Sequence, residues 1–176
     1  MQTPDPAGIL EQFNHTITTW INYLDDYTLE MLHQQPLPGS WSLGQVYIHI
    51  IDDTQYQAGQ MKQALTDVHN SHEDMHPNAR QMFLHNSFPD IQIEGPATNT
   101  PIRQPQSKEE LREALLQIKA DVNKSAEDQQ LLKAKGKSLH PGLLYFSAAE
   151  WVQFMEMHMR HHFRQKERID MRLFTC

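Results

Sequence analysis

Three Ser-x-x-Gln/Glu boxes, each followed by apolar residues spaced three and four apart, constrain this chain more than any other feature. Ser42 with Gln45, Ser107 with Glu110 and Ser147 with Glu150 each put a hydroxyl where a helix begins, with an acceptor three residues on. Trp41 with Val46 and Phe146 with Trp151 flank two of these boxes at the positions of a hydrophobic staple. A fourth seam needs no box: Leu10, Phe13, Ile17, Trp20, Leu24, Tyr27 and Met31 alternate at three and four, the stripe of a helix with one face against a core. We expect helices over about 6–33, 42–69, 107–132 and 147–173. The stripes of the middle two are Val46, Ile50, Met61, Ala64 and Val68, then Leu111, Leu115, Ile118 and Val122.

What lies between the helices sets the topology. Gln34-Gln35-Pro36-Leu37-Pro38-Gly39 stops the first helix. Residues 70–106 form a long connection with five prolines, a short helical piece at Gln81–Leu84 and a short extended piece at Ile91–Ile93. A connection of that length lets helices two and three run in the same direction. The fold class is therefore all-α, a four-helix bundle with a long crossover, in one domain over residues 1–176.

Composition excludes several function classes. No apolar run is long enough to span a bilayer, and the first residues lack a basic stretch leading into an apolar one, so the expected location is cytoplasmic. The lone cysteine, Cys176, has no disulfide partner and sits on the last residue, a poor place for a nucleophile. A net charge of −7 argues against nucleic acid. The basic cluster Arg160, Arg164, Lys166, Arg168 and Arg172 suits the C-terminal half of a helix, where the macrodipole favours cations. The surface apolars Tyr47 and Phe174 do not by themselves establish a dimer.

The chemistry rests on histidine. Of eleven, His69, His72, His76 and His85 belong to the polar connection, and His15, His33 and His140 have no partner at ligand spacing. The last helix differs. Its seam reads Trp151, Met155, His158, His162, Gln165, Ile169, so two histidines one turn apart occupy core-facing positions. That spacing lets two imidazoles grip one cation, or describes two buried neutral rings bonded to core partners. His161 points about 100° away. In helix two His49 opens a polar break in the stripe, with Asp52 and Asp53 one turn on, Gln57 beyond them, and Tyr56 and Gln60 extending the same side. A histidine beside a carboxylate suits a metal ligand with an outer acceptor, and equally the edge of a core stripe.

Trp41-Ser42 followed by His49, then His140-Pro141, Ser147, Glu150-Trp151, His158, His162 and Gln165, in that order and helical context, resemble the DinB/YfiT-like superfamily of four-helix-bundle metalloenzymes over nearly the whole length. The resemblance implies an up-down-down-up bundle, often a homodimer, with a metal triad at His49, His158 and His162. Zinc is the first expectation, with nickel, iron or manganese as alternatives. It also implies a metal-dependent transferase that activates a low-molecular-weight thiol for addition to an electrophilic substrate. Tyr56, Asp53 and Gln165 are then candidate pocket residues from helical position. The alternatives are a metal-dependent hydrolase using metal-bound hydroxide, with Asp53 or Glu156 as base, and a non-catalytic metal-binding stress or interaction module.

Overall fold

The computed structural model describes residues 6–89, 102–127 and 130–174. The elements run α1 (Pro6–Tyr23), a 3₁₀ turn (Leu24–Asp26), α2 (Leu29–His33), α3 (Leu43–Thr66), α4 (Pro77–His85), α5 (Lys108–Glu127), α6 (Gln130–Lys133), β1 (Lys137–His140), β2 (Leu144–Ser147) and α7 (Ala148–Leu173). The four long helices, α1, α3, α5 and α7, make the bundle. Phe13, Ile17, Trp20, Val46, Ile50, Met61, Leu111, Leu115, Trp151 and Met155 have no exposed surface and form its core.

Side-chain pairs give the helix directions. Between α1 and α7 the partners climb together, Thr16 with Glu156, Trp20 with Met159 and Tyr27 with Asp170, so these helices are parallel. Between α1 and α5 they run opposite, with Asn14 on Asn123, Thr18 on Lys119 and Asp25 on Arg112. Ser42 meets Gln104 just before α5, and Lys62 meets Asp121, so α3 and α5 are parallel. His49 lies level with His158 and His162, whereas Gln60 lies level with Trp151, so α3 and α7 are antiparallel. The result is up-down-down-up, as the long crossover allows.

Local chemistry explains where the helices start. Ser42 and Ser147 both make complete capping boxes, with Gln45 and Glu150. At Ser107 only half of the box forms: its hydroxyl takes the Glu110 N–H, while the Glu110 carboxylate reaches one residue further back to the Gln106 N–H.

Three expectations need correction, and one pair of strands was not expected. The first helix is not continuous to His33. Asp25 and Asp26 put negative charge at a helix C-terminus, where the macrodipole is already negative, and Thr28 restarts the helix by accepting from the Met31 N–H at 3.2 Å. Helix two ends at Thr66, leaving Val68 exposed, and Gly136 packs against this end; a Cβ there would lie 2.0 Å from the Asp67 carbonyl oxygen. Tyr47 is not a surface residue: it has no exposed surface, and its hydroxyl donates to the Trp20 carbonyl at 2.9 Å. Before α7 the chain makes an antiparallel hairpin, β1 with β2, which helical periodicity does not reveal. Its signal was His140-Pro141-Gly142, a turn between two short extended runs. The helical piece near Gln81–Leu84 is α4, and Ile91–Ile93 lies outside the described residues.

The hairpin docks α3 onto α7. The Trp151 indole donates to Ser138 Oγ at 2.7 Å, and Ser138 donates onward to the Gln60 carbonyl at 2.8 Å. This relay fixes the axial register of the two helices that carry the histidines.

Candidate metal centre

Two turns into α3, His49 faces α7 across a narrow gap. Its ring centroid is 5.2 Å from that of His158 and 4.8 Å from that of His162, and the two α7 rings are 4.7 Å apart. One nitrogen from each ring lies within 4.8 Å of the others. The Nε2 atoms of His158 and His162 are 3.1 Å apart. Two nitrogens each about 2.0–2.1 Å from a tetrahedral ion sit about 3.3 Å apart, so the spacing matches shared coordination. Trp41 walls the site beside His49, with ring centroids 5.1 Å apart, and Phe88 beside His158, at 5.8 Å.

The electrostatics hold these rings neutral. Burial pushes His49 down, against the opposing pull of Asp53 and Asp52. Burial, then the neighbouring histidines His162 and His49, hold His158 well below the usual range. Burial, then His49, push His162 down to about 3, against the hydrogen bond it donates to Gln165. Neutral imidazoles keep lone pairs available at pH 7, which a cation needs.

The hydrogen bonds add a tautomer. Gln165 Oε1 lies 2.8 Å from His162 Nδ1, so Nδ1 carries the proton and Nε2 presents its lone pair to the gap. This is the outer-sphere arrangement that orients a metal-binding histidine. His158 differs: its Nδ1 is sealed inside with no hydrogen-bond partner among the described residues. The ring is held through Nε2 alone, the atom an ion would take. The donor set and its spacing fit a divalent cation.

The other candidates separate clearly. Asp53 Oδ2 lies 3.7 Å from His49 Nε2 and 3.6 Å from His158 Nε2, and burial, chiefly, pushes its pKa up. Gln165 touches His162 directly. Tyr56 stays on the surface, 49 % exposed. Glu156 is not placed to act as a base at this site. It lies two residues before His158, so the helical period turns it to the α1 side. There it accepts from Thr16 and from Arg160 Nε at 2.7 Å. The basic cluster is partly absorbed in the same way, with Arg160 on Glu156 and Lys166 on Asp170.

In the polar connection, His69 pairs with Asp67 and His72 with Glu73, while His76 Nδ1 caps α4 at the Asn78 N–H. Sequence reasoning gave His140 no role, yet it organises the hairpin turn: Nδ1 accepts from the Gly142 and Leu143 N–H groups, and its ring stacks on Trp151. The walls were also missed. Trp41 read as a staple residue and as part of the family motif, not as a wall of the site, and Phe88 carried no periodic signal.

The profile of the DinB superfamily matches residues 12–165, which takes in all three histidines. The chain belongs to the DinB superfamily. Among solved structures, this DinB chain is similar to YfiT from Bacillus subtilis, a probable metal-dependent hydrolase with an unusual four-helix bundle topology. The two share 16 % identity and a TM-score of 0.58, over 98 % of this chain and 90 % of that one. At that identity the likeness concerns the fold. No curated relative matches the chain. Among the described residues no helix is long and apolar enough to cross a membrane.

Proposed function

We propose that this DinB protein is a metal-dependent hydrolase in which His49, His158 and His162 hold one divalent ion and Asp53 is the proton acceptor. The observation that carries the reading is the place of Asp53, with one carboxylate oxygen 3.6–3.7 Å from the Nε2 atoms of two of the three histidines. A divalent ion bound there supplies a Lewis acid that polarises the substrate and lowers the pKa of water. Asp53 Oδ2 takes the proton of the attacking water and returns it to the leaving group. Burial, which raises the Asp53 pKa, makes the carboxylate a better base once ionised. Trp41 and Phe88 limit the water around the gap, and Gln165 keeps His162 in the ligating tautomer.

Thiol transfer to an electrophile uses the same three histidines but needs a thiol in place of water and no general base for water. Its support is the family resemblance.

The test is hydrolysis of a panel of ester, amide and phosphate substrates by zinc-loaded protein, with and without added thiol. Thiol-independent hydrolysis that falls about 10²–10⁴-fold in Asp53→Asn, with metal content retained, supports the proposal. Turnover only with a thiol, or full activity in Asp53→Asn, refutes it.

A further inference from the structure

Besides Thr54 Oγ1, two buried polar atoms on facing helices lack hydrogen-bond partners among the described residues: His158 Nδ1 on α7 and Gln57 Oε1 on α3. We infer that they are each other's partners in the metal-loaded protein, and that Gln57 is the positioning residue of His158. This rests on the reading that the histidine triad holds an ion.

The axial register sets them at neighbouring levels. Gln60 and Trp151 are joined at one level through Ser138, and Asp53 meets His158 at another. Gln57 is one turn from Asp53 towards the Gln60 end, on the same face, and is 5 % exposed. Side chains on a helix lean towards its N-terminus. In this antiparallel pair, His158 therefore leans towards the level of Gln57, and Gln57 leans towards the level of His158.

The tautomers supply the reason. His162 Nδ1 donates to Gln165, so His162 Nε2 is an acceptor. The 3.1 Å contact between the two Nε2 atoms then requires the proton to sit on His158 Nε2, leaving Nδ1 bare. An ion needs both Nε2 lone pairs. The His158 proton must move to Nδ1, with no change in net protonation, and Nδ1 becomes a buried donor in need of an acceptor. Gln57 Oε1 is a buried acceptor in need of a donor. Each of the two α7 histidines then has its own glutamine, Gln165 for His162 and Gln57 for His158.

The test compares wild type, Gln57→Leu and Gln57→Glu by zinc affinity, in competition with a chromophoric chelator, and by thermal unfolding of the zinc-free protein. The expected result is about 10–100-fold weaker zinc binding in Gln57→Leu, with zinc-free stability unchanged or raised, because an unpartnered buried acceptor has gone. Gln57→Glu, which restores an acceptor, should bind zinc at least as tightly as wild type. A residue that merely packs would show the reverse in Gln57→Leu: lower zinc-free stability and unaltered affinity. Wild-type affinity in Gln57→Leu, or equal loss in Gln57→Glu, overturns this inference alone. A wild-type chain that takes up no zinc overturns the triad with it.

Discussion

His140 makes the stability of the fold pH-dependent at a point away from the metal centre. Burial pushes its pKa down from 6.5 to about 4. Its Nδ1 accepts from the Gly142 and Leu143 N–H groups, both at 3.1 Å, a role for a lone pair. In the unfolded chain the ring protonates below about 6.5; in the folded chain it stays neutral until about 4. Between those values the unfolded state binds more protons, so stability is complete above pH 6.5 and is lost as the pH falls towards 4. At pH 5 the full shift corresponds to about 2 kcal/mol, and screening of the half-buried ring by solvent reduces this to about 1 kcal/mol. The assay is urea unfolding of chelator-treated protein at pH 7.5 and pH 5, for wild type and His140→Asn. Asn preserves an acceptor for the turn but does not titrate, so the wild type should lose about 1 kcal/mol more than the variant between the two pH values. The buried triad titrates in both proteins, so apart from the weak repulsion between His140 and His158 its contribution cancels in the difference. Equal losses would refute the assignment of this proton to His140.

Three further expectations follow from particular contacts. Gln165→Leu removes the acceptor on His162 Nδ1 and frees that ring to donate from Nε2 to His158, so zinc affinity should fall about 10–100-fold by chelator competition. Ser138→Ala orphans the Trp151 indole N–H in the core, so chemical denaturation should show a loss of about 2–3 kcal/mol. His49→Ala should abolish stoichiometric zinc in elemental analysis yet keep the helical circular dichroism of the wild type, because the seams of α1 and α5 do not involve the triad.

The bundle was legible because each long helix wrote its own face and three of the four wrote their own start. The boxes at Ser42 and Ser147 are local, and the stripes through Phe13, Ile17, Trp20 and through Leu111, Leu115, Ile118 needed only the helical period. The same locality misled at Asp25–Asp26, where the apolar stripe continues through a broken helix because Leu24 and Tyr27 still face inward. It misled again at Tyr47, which has no exposed surface. The hairpin was invisible to period counting, since its four-residue strands are held by tertiary bonds to α3 and α7.

The site divides along the same line. Sequence alone determined that His158 and His162 share a face, because four residues on a helix fix two side chains whatever surrounds them. It also supplied His49, Asp53 and Gln165 as candidates. Only the tertiary structure decided that His49 closes the triangle, because α3 and α7 meet at a register set far from the site by Gln60, Ser138 and Trp151. Only it separated Asp53, beside two of the rings, from Glu156, turned towards α1 and neutralised by Arg160. Helical spacing is a property of one segment. The meeting of two segments depends on the packing between them, which no spacing along either one contains.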